Sequence, residues 1–190
     1  MRTLTRFIAA SAAAAALLLG SAPVSLAADP VQVDVGGAGD ATFLPDSFGT
    51  GGITSTKPAD KRAHTVFSRT VTNRIPNEVW YTARHLESAY ELTGLTAGGA
   101  YELRLYFLDW YFTRPGQRIF DVDVNGTRVL HDFDIVGTAV EAGADAPLTA
   151  FGVEKDFPVT ADENGGVRID FVRGKADQPQ VNAIVLVPVA

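Results

Sequence analysis

Three consecutive aromatics, Trp110, Tyr111 and Phe112, follow an alternating run from Tyr101 to Asp109. Neighbours in an extended chain point to opposite faces, so one sheet face cannot bury all three rings. At least one ring must stand in a loop at the sheet edge. A rigid ring held there by a β-scaffold can stack on the apolar C–H face of a sugar, and that is the leading chemistry these residues offer. Other groupings offer less. Asp121 and Asp123, or Asp132 and Asp134, could suggest the acid and base of glycoside hydrolysis, but i, i+2 spacing is the ordinary pattern of a solvated strand face. His64, His85 and His131 lie far apart, without the spacing a zinc site needs. No G-x-S-x-G, phosphate loop or cysteine nucleophile occurs, so a binding module is favoured over an enzyme.

The aromatics must be positioned by strands. Tyr101, Leu103, Leu105 and Phe107 share one face, with Glu102 and Arg104 on the other; Phe120, Val122 and Val124 alternate with Asp121 and Asp123 in the same way. Asn125-Gly126 tolerates positive φ at both positions and predicts a type I′ turn joining Phe120–Val124 to Thr127–Leu130. This hairpin also accounts for the glycosylation-like Asn125-Gly126-Thr127. Val31–Val35, Glu78–Arg84, Ala89–Leu92, Val153–Val159 and Val167–Val172 read as further strands, and Val66–Thr72 as a strand or a turn-like segment. Val181–Val187 reads as a near-continuous apolar strand, and the Gly- and Ser-rich 46–55 segment as a loop. No stretch of eleven residues beyond the N-terminal segment has helical periodicity. The expected fold is all-β, an antiparallel jelly-roll-like sandwich.

Residues 1–28 read as a secretory signal peptide. Arg2 and Arg6 precede the apolar stretch from Phe7 to Gly20, Pro23 breaks it, and Ser25-Leu26-Ala27 offers small residues for cleavage near Ala28. The remaining 29–190 has the size of one domain. Losing two arginines takes the formal charge from −6 to −8, which disfavours nucleic acid and anionic membranes as partners and permits neutral sugars. With no cysteine in the chain, the core must hold the fold without disulfides. No second apolar segment of membrane length follows, so a secreted chain without an anchor is expected, in a composition that suits a bacterial exoprotein. No cofactor is expected. A structural calcium is compatible with a β-sandwich, but the acidic Asp29, Asp34 and Asp40 region lacks a calcium-loop signature.

The run from Tyr101 to Val187 resembles malectin and malectin-like carbohydrate-binding modules. Gly116-Gln117-Arg118-Ile119-Phe120-Asp121-Val122-Asp123-Val124-Asn125-Gly126 matches the family's G-x-R-x-F-D-V-x-x-N-G element. Asp132-Phe133-Asp134-Ile135 and Pro179-Gln180-Val181-Asn182-Ala183-Ile184 match its D-x-D-I and P-x-V-x-A-I elements. The earlier chain fits more loosely, through Asp46-Ser47-Phe48-Gly49 and Val79-Trp80-Tyr81-Thr82-Ala83-Arg84. The resemblance implies a galactose-binding-domain-like sandwich that recognises a glucan or related oligosaccharide without catalysis. It assigns ligand contact to Tyr111, Phe112, Asp177, Tyr81 and Phe48, the last standing where the family has a tyrosine. An extracellular adhesion or structural module that binds a protein partner is the alternative.

Overall fold

The computed structural model describes residues 29–59, 65–143 and 150–189. The proposed signal segment and His64 lie outside the described residues. In chain order the strands are β1 (Val31–Asp34), β2 (Gly49–Thr56), β3 (Thr65–Phe67), β4 (Thr82–Leu92), β5 (Ala100–Asp109) and β6 (Ile119–Val124). They continue with β7 (Thr127–Phe133), β8 (Ala150–Thr160), β9 (Val167–Ala176), β10 (Gln180–Val181) and β11 (Ala183–Pro188). One sheet runs β1-β11-β5-β8-β3 and the other β10-β4-β9-β6-β7, with β2 added along β4. Strand pairs are antiparallel except β3 with β8, which is parallel.

The period-two face of β5 closes the sandwich as the sequence predicts. Leu103, Leu105 and Phe107 are fully buried against Phe120, Val122, Ile169 and Phe171 of the facing sheet. The Phe107, Phe120 and Phe133 rings lie 4.8–5.9 Å apart in tilted or edge contacts. Residues of opposite parity, Tyr106, Leu108, Ala183 and Val185, build a second, smaller core with Phe43, Val79, Trp80 and Tyr81. Phe43 and the Val79–Tyr81 segment just before β4 therefore lie over the outer face of the β1-β11-β5-β8-β3 sheet. Asn125 and Gly126 take φ of 49° and 75°, and Val124 pairs with Thr127, as the hairpin signal requires.

Four local readings are corrected. The segment read as a loop through Ser55 is β2, whose glycines lie against β4: a Cβ at Gly51 would sit 2.9 Å from the Glu87 carbonyl oxygen. Asn77–Tyr81 is a 3₁₀ turn rather than strand, and it buries Val79, Trp80 and Tyr81 together. The run from Val181 divides between the two sheets at Asn182. That buried side chain accepts from the Leu108 N–H at 2.7 Å and donates to the Trp80 and Thr82 carbonyls at 3.0 and 2.8 Å. Ile135–Glu141 forms one short helix, α1, capped by Asp134, which accepts from the Gly137 N–H at 2.9 Å.

Candidate functional site

Strand β5 ends at Asp109, whose side chain is fully buried. Its Oδ1 accepts from the N–H groups of Tyr111 and Phe112, both at 2.9 Å, so the backbone turns at once. The turn separates the three rings. Trp110 stays 9% exposed beside the smaller core, whereas Tyr111 stands 71% exposed, as a loop aromatic must. Phe112 supports it edge-on, with ring centroids 4.9 Å apart. Arg118 returns over the Phe112 ring, its guanidinium carbon 5.1 Å from the centroid.

Arg118 is itself buried. Its Nε donates to the second Asp109 oxygen at 2.7 Å, and one terminal nitrogen donates to the Gln178 carbonyl at 2.6 Å. The same nitrogen lies 3.0 Å from Asp177 Oδ2. Asp177 sits in the β9–β10 loop at φ 53°. The opposite wall comes from β4, where the strand exchanges β10 for β9 as its partner. Leu86, at φ 71°, marks that exchange and is turned outward beside His85. Left-handed backbone at non-glycine residues costs energy, and two of the five such positions among the described residues, Leu86 and Asp177, border this cleft. Ser55, Trp110, Tyr111, Arg118, Gln178 and Gln180 complete a cleft of about 380 Å³ with His85, Leu86 and Asp177. Small-molecule sites span roughly 300–1,000 Å³.

The charges in the cleft are largely matched. Two carboxylates face Arg118. Burial, reinforced by Arg118 and opposed by Asp177, lowers the His85 pKa, which keeps its imidazole neutral at pH 7. His85 Nδ1 lies 3.3 Å from the Ser55 hydroxyl. The cleft thus offers a carboxylate, side-chain amides and an imidazole, all suited to hydroxyl groups, beside an open aromatic ring.

Tyr111 and Asp177 come together here, and Phe112 sits behind Tyr111 as its support. The other two expected contacts are placed elsewhere. Tyr81 is buried in the smaller core, with Lys57 Nζ 5.2 Å from its ring centroid. Phe48 packs partly buried against the main core, where its carbonyl accepts from the Glu91 N–H at 3.0 Å. Neither lines the cleft. Sequence reasoning did not single out His85, Leu86, Gln180, Asp109 or Arg118. The last two had a signal: Asp109 opens a turn, and Arg118 is a cation inside the G-x-R-x-F-D-V element. The position of His85 depends on the irregularity at Leu86, which has no local signature.

The carboxylate pairs have other partners. Asp121 and Asp123 both pair with Arg128, and Asp134 caps α1. Asp121, His131 and Asp132 bring ligand-type atoms within 4.8 Å of one another, but Arg128 and Lys175 already neutralise those carboxylates.

An open aromatic ring and an anchored carboxylate thus face one cleft of a two-sheet sandwich. The sequence profile of the malectin domain matches residues 30–184, and the chain belongs to that family. Malectin-A of Xenopus laevis is 32% identical over 92 residues, which is 46% of this chain and 33% of that protein. Human malectin is also 32% identical over 92 residues, covering 46% of this chain and 32% of the relative. The match thus spans about a third of the length of these relatives. Among solved structures, the ANX2 ectodomain from Arabidopsis thaliana superposes with a TM-score of 0.67 at 16% identity, covering 84% of this chain and 50% of that one. A structure of the plant peptide RALF23 in complex with FER and LLG2 gives 0.65 at 15% identity, covering 84% and 48%. At such identities the likeness concerns the fold. No helix among the described residues is long and apolar enough to cross a membrane.

Proposed function

We propose that residues 29–190 form an exported carbohydrate-binding module that holds a glucan or related oligosaccharide between Tyr111 and Asp177. The observation that carries this reading is the pairing of a 71% exposed ring with an anchored carboxylate across one cleft. The ring stacks on the apolar face of a pyranose, and Asp177 accepts from its hydroxyls with charge assistance. Sugar hydroxyls are already satisfied by water, so exchanging those bonds gains little, and stacking adds about 0.5–1.5 kcal/mol per ring. A single module should therefore bind with a Kd of roughly micromolar to millimolar. Export is supported by the signal-like 1–28 segment and by the extracellular naming of the plant fold neighbours.

Titration calorimetry with α- and β-linked gluco-oligosaccharides, followed by a wider glycan array, tests the reading. Saturable binding abolished by excess free sugar is expected. Silence across neutral glycans would remove it, and release of reducing ends would turn the site into an enzyme's. A second reading, a peptide or protein partner at the same face, is favoured by the peptide-bound plant neighbour. A nanomolar monovalent constant for a captured polypeptide would establish that alternative.

A further inference from the structure

We propose that Arg118, clamped by Asp109, is a positioning residue that couples the aromatic loop to the Asp177 loop, so that the two walls of the cleft act as one unit. The proposal rests on reading the cleft as a ligand site. Asp109 has no exposed surface and divides its oxygens: one holds the Tyr111 and Phe112 amides, the other holds Arg118. Arg118 spends its remaining reach on the opposite loop, at the Gln178 carbonyl and the Asp177 carboxylate, while its plane covers Phe112. A chain of charge-assisted contacts thus runs from the backbone beneath Tyr111 to the carboxylate facing it. Only a planar, multidentate cation can bridge these partners at once. Asp177 is otherwise an exposed loop residue at positive φ, a conformation that its surroundings must stabilise. Groups aimed at a ligand from loops need such support to hold their geometry.

Arg118→Lys keeps a positive charge beside Asp109 but cannot span both loops, so it separates coupling from charge. Three readouts are combined: melting temperature, backbone amide shifts of the free protein, and affinity for maltotriose and laminaritriose. The expected result is a folded variant whose amides move at Tyr111, Phe112 and Asp177 together. Whichever trisaccharide the unaltered protein holds should bind about tenfold more weakly, the scale of one charge-assisted hydrogen bond. Added to Asp177→Asn, the substitution should cost little further affinity, because both changes break the same linkage. Unmoved amides, unchanged affinity or full additivity would overturn the proposal. If the unaltered protein bound neither trisaccharide nor any neutral glycan of the wider array while both loops still shifted, the sugar reading would fall and the coupling would stand. Should Arg118→Lys not fold, Asp177→Asn alone decides from the exposed end. Shifted Tyr111 and Phe112 amides support coupling through Arg118, and unshifted ones refute it.

Discussion

Phe107 and Asp109 lie two residues apart in β5, and Arg118, the residue just before β6, lies two residues from Phe120 within it. Across the sandwich the inner pair, Phe107 and Phe120, meets ring to ring at 5.9 Å, surrounded by Phe133 and Phe171. One step outward, Asp109 and Arg118 meet as an ion pair at 2.7 Å. All four are buried, so exposure does not separate them. Direction does. Apolar contact fills space without prescribing what lies beyond it, whereas the ion pair leaves donors and acceptors that fix the Tyr111, Phe112 and Gln178 backbones. The core closes the fold at the inner level, and the rim orients a site at the outer one.

The comparison can be broken most forcefully at the inner level. Phe120→Ala removes a fully buried ring and should destabilise the domain by about 3–5 kcal/mol. Denaturant titration should show a much lower midpoint. A midpoint close to that of the unaltered protein would mean that the aromatic cluster is not the core. Asp109→Ala should follow. It strands a buried guanidinium, a loss of about 3 kcal/mol, at the low end of the range for broken buried pairs because Asp177 remains 3.0 Å away. Unlike Phe120→Ala, it should also loosen both loops, read as increased amide exchange at Tyr111 and Asp177. Tyr111→Ala should change stability by less than about 0.5 kcal/mol, since the ring is mostly in water, yet abolish sugar binding. If it melts early like Phe120→Ala, the ring is core and the cleft has lost its aromatic wall.

The inner level was legible in the sequence and much of the outer level was not, for a physical reason. Alternation reports which face of a strand is buried, so the β5 and β6 faces could be read directly, and Asn125-Gly126 announced its own turn. That at least one ring would stand outside the sheet followed from three adjacent rings that no single face could bury, and the family resemblance pointed to Tyr111 and Phe112. The ion pair, however, joins residues whose local patterns are silent about each other, and His85 reaches the cleft only because β4 changes partners at Leu86. Strand β2 was hidden by its glycines, which β4 pairing accommodates. Tyr81 was misplaced because a 3₁₀ turn, not a strand, carries it into the smaller core. Helix α1 is seven residues long and escaped any search that required eleven.

Asp156 offers the smallest effect and a useful control, because it is a carboxylate without the arrangement Asp109 enjoys. It lies on β8 opposite Arg104, but Arg104 is already bound to Glu102 at 2.5 Å. Partial burial, then the charges of Glu154 and Glu102, raise the Asp156 pKa from 3.8 to about 6, with Arg104 opposing. A folded-state pKa above the unfolded one means that the folded form binds the proton more tightly. Asp156 therefore adds stability as pH falls from 6 towards 3.8, and subtracts it above 6, where the folded state carries the unfavourable charge. Asp156→Asn should raise the melting temperature at pH 7 and leave it unchanged once the native side chain is protonated in both states. The rise should be small, since the side chain is exposed enough for solvent to screen its neighbours. Melts of both proteins across this range give the answer: a difference that vanishes towards acid pH supports this account, and one that grows there contradicts it.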